Sequence, residues 1–350
     1  MQNAAMRNAA LITLCLLAAD LLAFSSPFAV ALSIAVETVK SVGGLPAHVA
    51  GTFEELASCQ QSPAGDYFIF DRRAHAVFSV PAAANTPPKK IVAVGAEPGR
   101  VLSPTAFDFA SDNTFVIADA PYGMQRVQIF FETGARLGGF SFQKSEAPMI
   151  TSQGIVVSGV ASLEYTGKSL YVSQPESGAL VTEYALEGRA ARTFGDLRRT
   201  GQEHDRAVHT ALNIGRVIVN PKGGFYYVFL AGEPVFRKYD AAGKLVFERR
   251  IQGVELDDYV RALPTTWPAR RPGSGEIPLV MPTVKTAEAD PDGNLWISLT
   301  VPYTYVYDEG GEKVRTIQFR AAGVLSPSSL FFARNGRVLV TPGCYAFAAR

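Results

Sequence analysis

The chain lacks strong charge of either sign. Its 350 residues carry 33 basic and 32 acidic side chains, a formal net charge of +1, and no run of Lys or Arg stands out as a tail. Such a surface supplies no field able to hold a polyanion, so nucleic acid and anionic membrane surfaces are excluded as partners. Cysteine is scarce, three in all, and histidine contributes four residues. No G-x-S-x-G and no activated-cysteine motif is present, so no nucleophile sits in a recognisable frame. Long apolar runs are missing after the first segment, and helical periodicity is missing outside it. These absences leave an ordinary exported or globular β chain, long enough for a sizeable core.

The first segment has one positive charge at Arg7 and an apolar stretch from Ala9 to Phe24 interrupted by Asp20. Ser-Ser-Pro and Ala29-Val30-Ala31 follow. This is the pattern of a signal peptide, residues 1–31, cleaved after Ala31. A spanning anchor would need about 20 apolar residues, and Asp20 and Pro27 interrupt this one. A lipidated Cys15 would need a small residue before it and has Leu14. The mature protein, residues 32–350, is expected to be one domain without a stable membrane span, exported to the periplasm or beyond.

Within it one rhythm recurs six times: a short apolar run, a tight turn with Gly, Asn or Asp, and a second aromatic or β-branched run. The copies read LASCQQSPAGDYFIFD, AFDFASDNTFVIAD, ASLEYTGKSLYVSQ, RVIVNPKGGFYYVF, AEADPDGNLWISL and LFFARNGRVLVTP. Their turns fall near Gly65, Asn113, Gly167, Gly223, Gly293 and Gly336, spaced by 48, 54, 56, 70 and 43 residues. Such a period suits a four-stranded blade, and the rhythm predicts an all-β, six-bladed β-propeller. The sixth unit ends early, near Cys344–Phe347, and would leave its blade one strand short. Ser33–Gly43, SIAVETVKSVG, resembles the closing strand of the first unit, PKKIVAVGA. The mature N-terminal strand is therefore expected to pair with the last blade and close the ring.

The second unit, ADAPYGMQRVQIFFETGARLGGF, resembles an NHL repeat: an acidic residue after strand two, then Arg-Val-Gln-Ile-Phe, a polar turn and Gly. The resemblance is sharp over Phe107–Phe140 and rhythmic elsewhere. It implies a six-bladed ring used mainly for binding, with some enzymes among its relatives, and it implies that Asp71 and Asp119 each tie down their own blade, Arg126 partnering Asp119.

Propeller sites gather where inter-blade loops and strand 2–3 loops converge. Two such connections are long, Asp196–Gly215 and Gln252–Thr283. The first holds His204, Asp205 and His209, whose spacing suits solvated loop residues better than a metal site, though either His could act as a base. The second holds Trp267, Arg270 and Arg271, which could bind a carboxylate, phosphate or sugar, or could simply anchor and cover. Related six-bladed lactonases and gluconolactonases hold a divalent cation on channel oxygens, which implies a possible calcium site. Asn220 and Asp290 are turn residues and poor ligands. Alignment on the turns puts Gln60, Asp108, Ser162, Ile218, Glu288 and Phe331 in one column, making Asp108 and Glu288 the candidate metal carboxylates. A neighbouring column, Cys59 with Phe107, Ala161, Val217, Ala287 and Leu330, reads as packed interior. Buried free thiols at Cys59 and Cys344 are the first expectation and a bond between them the second.

Two functional expectations follow. The first is an exported propeller, without a cofactor, that binds a protein, peptide or glycan on the face bearing the inter-blade loops. The alternative is a metal-dependent, lactonase-like hydrolase or lyase using a channel cation and a loop His.

Overall fold

Tight Gly- and Asn-containing turns join strands too short to bury a face alone, so the chain stacks them as radial sheets. The computed structural model describes residues 34–82, 86–142, 149–152, 155–158, 160, 162–268 and 278–349. The signal-like residues 1–31 lie outside these. Two N-terminal strands, β1 (Val36–Lys40) and β2 (Gly43–Gly44), come first. Blade one is β3 (Leu56–Gln61), β4 (Tyr67–Asp71), β5 (Ala76–Val80) and β6 (Lys89–Val92). Blade two is β7 (Pro104–Phe109), β8 (Thr114–Asp119), β9 (Arg126–Phe131) and β10 (Arg136–Ser141), followed in sequence by a hairpin of β11 (Met149–Ser152) and β12 (Ile155–Ser158). Blade three is β13 (Leu163–Tyr165), β14 (Ser169–Ser173), β15 (Ala179–Ala185) and β16 (Ala190–Asp196). Blade four is β17 (Gly215–Val219), β18 (Phe225–Phe229), β19 (Val235–Tyr239) and β20 (Leu245–Arg250). Blade five is β21 (Val284–Ala289), β22 (Leu295–Leu299), β23 (Thr304–Tyr307) and β24 (Lys313–Arg320). Blade six has β25 (Ser329–Phe332), β26 (Arg337–Thr341) and β27 (Tyr345–Ala348).

Within each blade the blade's own strands pair antiparallel in chain order. The first strands β3, β7, β13, β17, β21 and β25 contact one another in sequence and β25 returns to β3, so the six blades close a ring around an axial channel. Among the described residues no apolar cluster fills the axis. Apolar residues instead form a cluster in every gap between neighbouring blades. The gap between blades one and two is filled by phenylalanines, with Phe115 stacked on Phe130 at 5.2 Å and Phe68 against Phe109 at 4.4 Å. The seam between blades six and one differs. Its fully buried members are Leu45, Val49, Cys59, Ile69, Val80, Leu339, Cys344 and Ala346, with no buried aromatic ring among them.

That seam is closed by two other devices. Cys59 and Cys344 are both inaccessible to solvent and form a disulfide across it, with Cα atoms 5.7 Å apart. The expectation of free thiols is therefore corrected: burial in an apolar column does not oppose a bond when the two cysteines belong to facing blades. The second device is the N-terminal arm, and here too the sequence reading needs correction. Only β2 completes blade six, antiparallel to β27 through Gly43–Ala346 and Gly44–Tyr345. The longer strand β1 lies parallel to β24 as a fifth strand of blade five, Val36 opposite Thr316 and Lys40 opposite Arg320. Arg315 holds it there through both carboxylate oxygens of Glu37. Alternation in the arm could not tell which of two adjacent edges it would choose. The arm crosses from one blade to the next between Ser41, whose N–H donates to the Arg320 carbonyl, and Val42, whose N–H donates to the Ala346 carbonyl. Just past the crossing Gly44, at φ +115°, runs so close to the Cys344 carbonyl that a Cβ would lie 2.2 Å from it.

Among the described residues three short α-helices interrupt the all-β pattern: α1 (Ala47–Ala50), α2 (Arg206–Asn213) and α3 (Val254–Arg261). The last two occupy the long connections into blades four and five. Eight residues give barely two turns, too few for a helical period to stand out in sequence. None of the described helices is long and apolar enough to cross a membrane.

The thin seam makes its bond consequential. Replacing both cysteines, Cys59→Ser with Cys344→Ser, should lower the unfolding free energy by about 3–5 kcal/mol in denaturant melts, with the far-UV signature of the sheets kept. A loss below about 1 kcal/mol would show that packing alone closes the ring.

Candidate functional site

The innermost strand of every blade turns one edge toward the axis, where its backbone N–H groups have no sheet partner. Acceptors must come from side chains. Gln60 supplies one: its Oε1 accepts from the N–H of Phe109 on blade two at 2.8 Å, while its Nε2 donates to Asp108 Oδ1 at 3.1 Å. Asp108 in turn accepts from the N–H of Tyr165 on blade three at 2.7 Å. Glu164 reaches the N–H of Val219 on blade four at 3.4 Å. Each acceptor thus grips the next blade at the residue just past its own equivalent. The progression stops at blade four, where Ile218 cannot accept, and Glu288 turns back to its own neighbour Ala289 N–H at 3.1 Å. Arg216 joins blades four and five instead, its guanidinium 3.6 Å from Glu288.

The observed register gives the channel tier as Gln60, Asp108, Glu164, Ile218, Glu288 and Phe331. Sequence alignment placed Ser162 where Glu164 stands. The β13–β14 turn holds four residues between Tyr165 and Leu170, against five between Phe109 and Phe115, and its glycine comes early. That displaced the alignment by two positions. Arg216, two residues before Ile218 on the same strand face, was missed because its Cα lies one tier away.

Three carboxylates and one guanidinium therefore share the channel, and protein wraps the carboxylates while solvent in the channel still reaches them. Burial pushes Asp108 up to about 6, against the pull of Tyr165 N–H, Gln60 and Arg216. Burial likewise raises Glu288 to about 7, with Arg216 opposing and Asp108 adding to the rise. Glu164 is driven well above the usual carboxylate range by burial and then by repulsion from Glu288 and Asp108. Two residues earlier on the same strands, Ser162 and Thr286 bury hydroxyls without a protein partner among the described residues, as does Arg216 at Nε. A lining of this kind suits ordered water.

Asp108 and Glu288 both face the channel, but the donor set does not fit the calcium ion that the lactonase comparison implies. Among the described residues no three Asp, Glu, His or Cys side chains converge as a metal group, and the carboxylates are engaged by amide, backbone and guanidinium donors. All three stand next to last on their strands, at the turn end of the channel. They are about four residues, roughly 13 Å, from the end where the long inter-blade loops begin.

Those loops form a platform at the other end. Asp205 caps α2, accepting from Val208 N–H at 3.2 Å. His209 lies half-buried on the helix, its Nδ1 2.7 Å from Thr200 Oγ1 and 3.9 Å from Glu203. His204 faces solvent just before the cap. The two imidazoles do not converge. Trp267 packs against the small cluster of Val208, Ala211, Leu212, Ala231 and Val280 and donates to the Leu279 carbonyl at 2.9 Å. It anchors the second long loop onto α2. Arg270 and Arg271 lie outside the described residues. Two residues invisible to motif reading rivet the platform to the ring. Arg198 donates to the carbonyls of Leu212, Ala231 and Glu233 with its guanidinium 4.2 Å from the centre of the Phe229 ring. Asn213 exchanges bonds with the Arg198 backbone. The blade ties implied by the NHL resemblance are present: Asp119 binds Arg126 through both oxygens at 2.7 and 2.8 Å. Asp71 accepts from the N–H groups of Glu54, Glu55 and Ala74.

No family profile matches the chain, and no curated protein matches it in sequence. Solved structures do match in fold. A streptogramin B lyase superposes with a TM-score of 0.50 at 9% identity, covering 83% of this chain and 76% of that one. Regucalcin from Agrobacterium tumefaciens, a calcium-binding protein, gives 0.48 at 13% identity over 88% of each chain. Sqt1 of Saccharomyces cerevisiae gives 0.49 at 10% identity over 83% of each. The first of these identifies the chain as a β-propeller and, at such low identity, carries nothing about activity.

The shared charge in the channel has a measurable sign. Carboxylates whose folded pKa exceeds the unfolded value bind extra protons when folded, so their contribution to stability falls as pH rises from about 4 through 6–7. Glu164→Gln keeps an acceptor for Val219 and removes one negative charge. It should raise the melting temperature by about 2–4 °C at pH 9 and leave it unchanged at pH 5. An equal difference at both pH values would show that the three carboxylates do not share charge.

Proposed function

We propose that the protein is an exported, NHL-like binding propeller that recognises a protein, peptide or glycan through the face carrying the inter-blade connections. One observation carries this reading. Val94, Tyr122, Met124, Val254, Leu279, Met281 and Leu325 are large apolar residues exposed to solvent, and all lie on inter-blade or strand 2–3 connections. The turns between strands 1 and 2, at the opposite end, carry no exposed large apolar residue among the described residues. The other exposed large apolar residues, Val36, Val42, Phe131, Leu137, Leu245, Val246 and Val314, lie singly or in pairs on the N-terminal arm and on third and fourth strands. Those on the connections instead gather at one end of the disc, and such a gathering marks a contact surface. Tyr122 is the extreme case, 85% exposed and held at φ +52°, a conformation that side chains other than glycine rarely adopt. The platform built by α2, Arg198 and Trp267 supports the same reading, since an ordered surface loses less entropy on binding than a loose one.

Export is supported by the signal-like residues 1–31 and by the Cys59–Cys344 bond, which persists in oxidising compartments. The reading needs no cofactor. A lactonase-like reaction would need the loop histidines and the channel carboxylates to act together, and they occupy opposite ends of the ring.

The test is a screen of the mature protein on glycan and peptide arrays beside a variant carrying Tyr122→Ser, Met124→Ser, Leu279→Ser and Leu325→Ser. Signals from the parent should fall at least about tenfold in the variant while its melting temperature is kept. Signals that survive all four changes would move the binding surface elsewhere.

A further inference from the structure

The end of the ring opposite the platform holds a cleft that the proposed binding face leaves unused. The strand 1–2 turns of blades six, one and two splay apart there and leave about 310 Å³ between them. Phe109, Phe331 and Phe332 contribute to its wall together with Pro63 and Ala64. The polar part of the lining is unbalanced. Ser62 is only 6% exposed, lines the cleft, and its buried hydroxyl has no partner among the described residues. Arg334 is exposed and pairs with no acid among the described residues. Asn335 uses its Oδ1 to accept from Arg337 N–H at 3.2 Å, which leaves its amide nitrogen to donate. Among the described residues no carboxylate lines the cleft, and the one formal charge on it is positive.

The turn beneath it is ordered in advance. Gln61 Nε2 donates to the Gly65 carbonyl at 3.0 Å, and the N–H of Ser62 donates to the Asp66 carbonyl at 2.9 Å. A site of this size with an aromatic wall, one cation and a desolvated hydroxyl donor suits an apolar body carrying a single anionic head. We infer that this turn-face cleft binds a small aryl carboxylate, its ring against the phenylalanines and its carboxylate on Ser62 and Arg334. The site is separate from the loop-face reading, and neither depends on the other.

Fluorine NMR of 4-fluorophenylacetate titrated with the mature protein tests this directly. About ten heavy atoms in a partly open cleft should bind with a dissociation constant near or below about 10 mM. Arg334→Gln should weaken binding about tenfold and Ser62→Ala about threefold or more. The neutral amide of the same probe should lose about tenfold. The four-serine variant of the opposite face should bind the carboxylate as the parent does. Arg334 is exposed, so its loss leaves the fold intact and an altered affinity reports on the cleft. Three outcomes would overturn the inference: no saturable binding by the parent, equal affinity for acid and amide, or equal affinity in the parent and both single variants.

Discussion

A propeller's innermost strands leave backbone donors facing a channel too narrow for another strand, and much of this structure answers that demand. Gln60, Asp108 and Glu164 each accept from the backbone of the following blade. The same side chains that look like ligand candidates thus serve first as stitches between modules. A carboxylate is an effective stitch because an ionised acceptor roughly doubles the strength of a hydrogen bond. Three such groups in one channel repel one another, and Arg216 together with shared protons offsets that repulsion. The elevated proton affinity of the trio follows from its structural task and needs no reaction to explain it.

Where the pattern of stitches fails, other devices take over. Ile218 cannot accept, and the seam there is filled by the largest of the apolar clusters, which includes Tyr226, Phe236, Tyr305 and Tyr307. Blades six and one meet over small side chains, and the Cys59–Cys344 bond and the N-terminal arm supply what the packing lacks. Each gap between modules is held by a different mixture of packing, hydrogen bonding and covalent linkage, although the modules share one plan.

The ring was legible in sequence because its signal is long-range and redundant: six turns of similar chemistry at a blade-sized spacing. The channel lining was legible only as far as the turns kept one length. Asp108, Glu288 and Gln60 came out of the alignment correctly, whereas one shorter hairpin hid Glu164. Arg216 could be found only by knowing which strand face looks inward. The helices escaped notice because RAVHTALN and VELDDYVR are each too short to establish a period. The pairing of β1 with blade five rests on a choice between two neighbouring edges that no local pattern encodes. Asp205 and Trp267 looked like site residues because capping, anchoring and ligand binding draw on the same residue types.

The arm also imposes an order on assembly. Its residues are made before the six blades, yet the edges that receive them, β24 and β27, belong to blades five and six. The arm must therefore wait, unpaired, while the blades between are synthesised. Blades one to four can stack as they emerge, whereas the circle is joined only once β27 has been made, and a chain stopped before it would remain an open arc with its ends exposed.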